Sequence, residues 1–340
     1  MVASGDTVEW FTAMFEGAER EADLDGIHIV RGGRQWSVHL AAVRRYRRHL
    51  HDSFDVVIDE VNTIPFFTPL WADIPHLLLI FQLAREVWWY ESPFPVSAVG
   101  YAAEPLYLRA YRHTPSLTIS ASTEADLRRL GFVSPIKVLP IGLEPMLVPS
   151  VRKEANPTFL YVGRMAPSKR VHEIIEAFRR YQAADPKARL WLIGDGPHSY
   201  LAALHSLVRR LGLDEMVQFL GRVPSDEKHK RMARAHVLLM ASVREGWGLS
   251  IAEANMCGTP AVVYDIPGLR DAVRNGETGF VVPPTPEGLA DGMHRLAGSA
   301  AVYEQLRQGA KQWSSTFSFD TAADELRTAV SAAVLASVRN

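Results

Sequence analysis

A rhythm constrains this chain more than any other feature. Between residues 158 and 282, short apolar runs alternate with stretches of helical period. Residues 158–162 (TFLYV), 189–193, 217–220, 237–241, 260–264 and 279–282 read as strands. Residues 170–183, 199–211, 226–235 and 249–256 read as helices, and 268–274 as a short one. In the first of these helices Val171, Ile174, Ile175 and Phe178 fall on one face. A strand, a helix and a further strand pack as a right-handed crossover, so this order predicts a doubly wound parallel α/β sheet. Helices then run to the C-terminus.

The first half repeats the rhythm less completely, with strands predicted at 7–12, 27–30, 56–58, 77–81, 117–120 and 136–139. Residues 143–156 (LEPMLVPSVRKEAN) combine two prolines, charge and no period, which reads as an interdomain linker. The expected division is an N-terminal domain over 1–145, a linker over 146–156 and a C-terminal domain over 157–315. A helix over 316–340 can cross back to the first domain. Two facing sheets of this kind place a ligand cleft at the carboxyl ends of their strands. A doubly wound domain ordinarily opens with a strand, turn and helix of about 30 residues. Here what reads as the second strand starts within six residues of Met1. The expectation is that the first unit is absent, from a truncated reading frame or a shortened protein. An exposed strand edge, a weak first domain and low activity would follow.

Composition narrows the function classes. A length of 340 residues suits two domains. Lys and Arg total 37 against 38 Asp and Glu, a balance that argues against nucleic acid as a partner. The longest nearly apolar run, 77–84, is far below the roughly 20 residues of a membrane span. The opening MVASGDTVEW has neither the basic nor the apolar region of a secretory leader. A single cysteine, Cys257, excludes a disulfide framework and a cysteine-based zinc site. A soluble cytoplasmic enzyme is expected.

Three strand ends carry candidate chemistry. In EGWGLSIAE (245–253), Gly246 and Gly248 permit a tight turn and close approach to a ligand. The helix beginning near Leu249 and Ser250 directs unpaired amides and its positive pole toward the cleft, an anion site flanked by Glu245 and Glu253. A surface loop followed by a solvated helical glutamate is the plainer reading. Gly163-Arg164 and Lys169 follow the strand at 158–162; a guanidinium fork and an ammonium five positions apart can reach one diphosphate, or form a solvated basic loop. Gly194-Asp195-Gly196-Pro197 is a Gly-rich turn at a third strand end. On the other side, VWWYESPFP (87–95) reads as an aromatic, proline-broken loop that stacks on a sugar, touches a lipid or simply packs. The run RRYRR (44–48) on a predicted helix can meet anionic headgroups in a weak membrane-surface contact, or form a solvated face.

The stretches YVGRMAPSKR (161–170), LIGDGP (192–197), VQFLGRV (217–223), REGWGLSIAEANMCGTPAVVYDIPGLRDAV (244–273) and GETGFVVPP (276–284) together resemble glycosyltransferase family 4. The N-terminal half is similar more loosely, through 54–70, 82–95, 118–132 and LPIGL (139–143). The resemblance implies the GT-B architecture of two facing Rossmann-like domains. It also implies a retaining transfer of a sugar from a nucleotide-diphosphate donor. It assigns Arg164 and Lys169 to the diphosphate and leaving group, and Glu253 to the ribose. It assigns Glu245 to the transferred sugar, and the Gly246, Trp247, Gly248 and Leu249 segment to sugar and phosphate. Gly163, Gly194 and Asp195 line the donor site, and Arg222 and Val223 sit by the base. No metal pattern accompanies these motifs, so no cofactor and no metal are expected. The acceptor is left open among a lipid, a polysaccharide and a small metabolite, as is a peripheral position at the inner membrane face. The family's sugar-contacting histidine is replaced by Phe81, and His76, five residues earlier, reads as structural.

Overall fold

The computed structural model describes residues 1–50, 53–144 and 151–338. Among these the strands form three sheets. The first half opens with β1 (Val8–Thr12), β2 (Glu21–Leu24) and β3 (Ile27–Arg31), followed by α1 (Val38–Arg45) and a π-helical turn. Strand β3 pairs parallel to β1 and antiparallel to β2, in the order β1-β3-β2. Strand β2 (EADL) is charged and mostly exposed, so it lacks the apolar run that marks the others. Its signal is the turn: Asp25 and Gly26 both take positive φ, 51° and 81°, in a two-residue hairpin loop of the Asp-Gly kind.

Next come β4 (Val57–Val61), β5 (His76–Ile80), α2 (Val87–Glu91), α3 (Val96–Leu108), β6 (Ser116–Thr118), α4 (Ala121–Arg129) and β7 (Ile136–Val138). Strands β4, β5, β6 and β7 form a parallel sheet in that order. The single N-terminal sheet read from the sequence is therefore two. The segment 87–95, read as a loop, begins with a helical turn and a half, α2.

The second half is one parallel six-stranded sheet, β10-β9-β8-β11-β12-β13. Its elements are β8 (Thr158–Val162), α5 (Val171–Gln182), β9 (Arg189–Ile193), α6 (His198–Arg210), β10 (Val217–Gly221), α7 (Ser225–Arg234), β11 (Val237–Met240), α8 (Leu249–Met256), β12 (Ala261–Tyr264), β13 (Gly279–Val282), α9 (Pro286–Ala297), α10 (Ala300–Ser314) and α11 (Phe319–Val338). Every residue of β8, β11 and β12 is buried, as strands covered by helices on both faces must be. The helix read at 268–274 is only a 3-10 turn, Arg270–Ala272.

One large core fills the second half, built around Phe159, Tyr161, Phe178, Leu192 and Tyr264. The first half has two smaller clusters. One of them is completed from the far end of the chain: Leu326, Ala329, Val330 and Ala333 of α11 pack beneath Leu77, Leu117 and Leu139. Arg327 also pairs with Asp6 at 3.4 Å. The expected linker falls partly outside the described residues. Its described end is fastened to the second half: Lys153 Nζ donates to the carbonyl of Ala235 (2.5 Å) and to Thr259 Oγ1 (2.7 Å), and Glu154 pairs with Arg234. No helix among the described residues is long and apolar enough to cross a membrane.

Candidate active site

The site is built where β8, β9, β10 and β11 end. Gly163 donates its amide to Ile193 O (3.0 Å), Met165 to Asp195 O (2.8 Å), and Gly194 to Gly221 O (2.9 Å). These bonds hold Gly163, Gly194 and Asp195 on one rim, with Arg222 and Val223 directly after the end of β10. Gly194 has φ 138°, and a Cβ there would lie 1.8 Å from the carbonyl oxygen of Gly163. Only glycine lets the two turns stack this closely.

The loop from β11 to α8 supplies the carboxylate. Glu245 Oε1 accepts from Lys169 Nζ and from the buried Ser242 hydroxyl, each at 2.6 Å. Two donors on one oxygen fix the rotamer and leave Oε2 free of those bonds. Gly248, at φ 112°, turns the backbone into α8. Glu253 lies one turn into that helix, and both its oxygens accept from Lys228 Nζ on α7, at 2.8 and 2.9 Å. Leu249 is half exposed at the helix start.

Arg164 faces the other half of the molecule. Its guanidinium donates to both oxygens of Glu91 on α2, at 2.8 and 3.0 Å. The Ser168 hydroxyl donates to the same carboxylate. Arg170 lies over the Tyr90 ring, 5.7 Å from its centroid, and donates to its hydroxyl at 3.1 Å. Burial would raise the Glu91 carboxyl, but the bonds from Arg164 and Ser168 and the charges of Arg164 and Lys169 hold it below the usual range.

Deeper in the same seam Arg244, only 8 % exposed, donates to Asp126 on α4 (2.6 Å) and to Glu86 (2.9 Å). Asp271 caps the Ser122 amide at 3.1 Å. The carbonyl of Phe81 lies 3.1 Å from where a Gly246 Cβ would stand. The end of β5 thus abuts the Glu245 loop.

Arg164, Lys169 and Glu245 therefore meet in one cleft, each already paired with an opposite charge. Glu253 stands apart, one turn along α8, and Arg222 and Val223 stand at the neighbouring strand end. Glu91, Ser168, Ser242, Lys228 and Arg244 complete the geometry and were not singled out by sequence reasoning. Arg244 had one signal, its place directly before Glu245. In the 44–48 run, Arg45 is bound bidentately to Glu9 (2.8 Å to each oxygen) and Tyr46 to Asp73 (2.6 Å), so only Arg44, Arg47 and Arg48 form an exposed basic face. His76 opens β5, at the end of the strand away from Phe81, with Nδ1 3.2 Å from Ile74 O. Trp247 packs near Trp313 and Phe317, with ring centroids 6.1 and 6.4 Å away.

Two Rossmann-like units meeting at the carboxyl ends of parallel strands define the GT-B class of fold. An Anabaena protein, HepE, solved in complex with UDP, shares this architecture: TM-score 0.72, 17 % identity, covering 96 % of this chain and all of that one. Residues 147–313 match the family described as glycosyl transferases group 1. An exopolysaccharide phosphotransferase of Streptomyces coelicolor is 32 % identical over 235 residues, 66 % of this chain and 24 % of that protein. A D-inositol 3-phosphate glycosyltransferase of Streptomyces bingchenggensis is 33 % identical over 172 residues, 48 % of this chain and 38 % of that protein. The chain therefore spans well under half the length of these two relatives.

Proposed function

We propose that this chain is a glycosyltransferase. It moves a sugar from a nucleotide-diphosphate donor to an acceptor hydroxyl and retains the anomeric configuration. The observation that carries this reading is the meeting of Arg164, Lys169 and Glu245 at the strand ends. The names of the inositol-phosphate relative and of the UDP complex support it.

Departure of a nucleoside diphosphate leaves an oxocarbenium-like sugar and a growing negative charge. Preorganised cations aimed at that charge are the largest catalytic term available. Arg164 and Lys169 take that role. Glu245, its carboxylate fixed by Ser242 and Lys169, contacts the transferred sugar. The Gly246, Trp247, Gly248 and Leu249 backbone bounds sugar and phosphate, with Gly163, Gly194 and Asp195 opposite. Glu253, steadied by Lys228, accepts from the ribose diol, and Arg222 and Val223 flank the base. The acceptor hydroxyl attacks from the leaving-group side and its proton passes to the departing phosphate; Arg164 and Lys169 carry the neutralising charge, and no metal is proposed. The acceptor enters from the first half; lipid, polysaccharide and small metabolite all fit that description. In a cytoplasmic setting, Arg44, Arg47 and Arg48 add a weak contact with anionic membrane.

Arg164→Ala and Lys169→Ala are each expected to reduce donor turnover by more than about tenfold, since each removes a charge-assisted contact to the leaving group. Near-normal rates in both variants would contradict the assignment. A second reading, a nucleotide-sugar binder without transferase activity, draws on Glu91 occupying Arg164 and on Phe81 at the end of β5. Calorimetric donor binding with no transfer or donor hydrolysis supports it. Product analysis also separates glycosyl from phosphoryl transfer.

A further inference from the structure

We propose that Glu91 is an internal stand-in for the donor's diphosphate, a displaceable latch on Arg164 that the donor must exchange for its own phosphates. The proposal rests on the donor-site reading above and adds a residue from the other half of the molecule to it. A guanidinium fork binds carboxylate and phosphate through the same two parallel N–H groups, so one fork holds one of them at a time. Glu91 fills that fork with two bonds, at 2.8 and 3.0 Å, and takes the Ser168 hydroxyl as well. Its carboxylate also lies within electrostatic reach of Lys169, so it sits where an anion shared by both cations would sit. Helix α2 is held for this purpose by the neighbouring residue, Tyr90, against Arg170.

The seam between the halves contains a second arginine, and the contrast supports the assignment. Arg244 is 8 % exposed and shared by two carboxylates, Asp126 and Glu86. Arg164 is 55 % exposed and shared by one. Solvent and an incoming anion reach the Arg164 pair, whereas they do not reach the Arg244 guanidinium without parting the halves. Donor entry thus exchanges the outer pair and leaves the inner one.

A latch of this kind lowers apparent affinity by the fraction of time it stays open. The test is calorimetric titration of the whole chain with inorganic diphosphate, UDP, GDP and ADP. It compares the wild-type chain with Glu91→Ala, Glu91→Gln, Arg164→Ala and the Arg164→Ala/Glu91→Ala pair. The expected result is that Glu91→Ala tightens the best-bound titrant about tenfold, as if the latch were closed about nine-tenths of the time. Glu91→Gln, which keeps size and loses charge, moves the same way by less. In the Arg164→Ala background the gain falls below about threefold. Tightening below threefold in the wild-type background overturns the latch, while wild-type binding itself leaves the donor-site reading standing. An equal gain without Arg164 also overturns it, since simple charge repulsion then accounts for the effect. Absence of binding to both the wild-type chain and Glu91→Ala overturns the latch and the donor-site reading together.

Discussion

At the scale of single residues, the cleft is a set of charges whose partners are fixed before any ligand arrives. Lys169 and Ser242 converge on one oxygen of Glu245, so the carboxylate's direction is set by the fold. Ser242→Ala is expected to lower kcat several-fold with a smaller change in donor affinity, because it loosens a positioned group without removing a charge. Steady-state kinetics on the donor checks this. A half-buried base outside the cleft contributes to the response to acid. His236 is drawn from its usual pKa near 6.5 down to about 4, by burial first and by the charge of Lys153 second. Its Nδ1 accepts the Thr158 amide at 3.1 Å, a bond that protonation abolishes. The unfolded chain takes up a proton between pH 6.5 and 4 that the folded chain refuses, so stability falls as pH drops through that window. Allowing for the solvent that the ring still meets, the loss is about 2 kcal/mol. The thermal midpoint is expected to fall between pH 7 and 4.5 by more in the wild-type chain than in His236→Asn. Equal falls would exclude His236 as the cause.

At the scale of elements, strand ends matter more than strands. Gly194→Ala forces a side chain against the Gly163 carbonyl at a φ that L-residues avoid. A cost of about 3 kcal/mol or more is expected, read as a drop in the urea midpoint at unchanged m-value. The same elements show what sequence makes legible. Strands 158–162, 189–193 and 279–282 lie where the apolar runs put them, because strands buried on both faces must be continuous hydrophobic stretches. Strand β2 escaped because its side chains face water, although Asp25-Gly26 announced its turn. Helix α2 escaped because five residues leave too little room for a period. The motif residues of the second half were legible for a similar reason: Gly163, Gly194, Gly248 and Glu245 sit at strand ends whose order the sequence reveals. The partners that neutralise them were not. Arg164 and Glu91 are 73 residues apart, and Arg244 and Asp126 are 118 apart; no local pattern encodes such pairs.

At the scale of the whole molecule, one large core in the second half and two smaller ones in the first are joined by a polar seam and by α11, which returns from the end of the chain to the first half. The smaller cores should open first. Urea unfolding followed by near-UV dichroism is expected in two steps, with shortening of α11 lowering only the earlier one. A single cooperative transition would show that the seam, with Arg244 at its centre, couples the halves more strongly than their separate cores suggest. Arg244→Ala is expected to spread the two midpoints further apart, because it takes the shared guanidinium from Glu86 and leaves Asp126 with Arg129 alone.

The most direct measurement is a crystal structure of the chain soaked with an intact nucleotide sugar. The account predicts the diphosphate at ~3 Å from both the Arg164 guanidinium and the Lys169 ammonium, with the ribose at Glu253. Phosphates bound elsewhere, or a cleft left empty with Arg164 and Lys169 still held by their carboxylates, would contradict it.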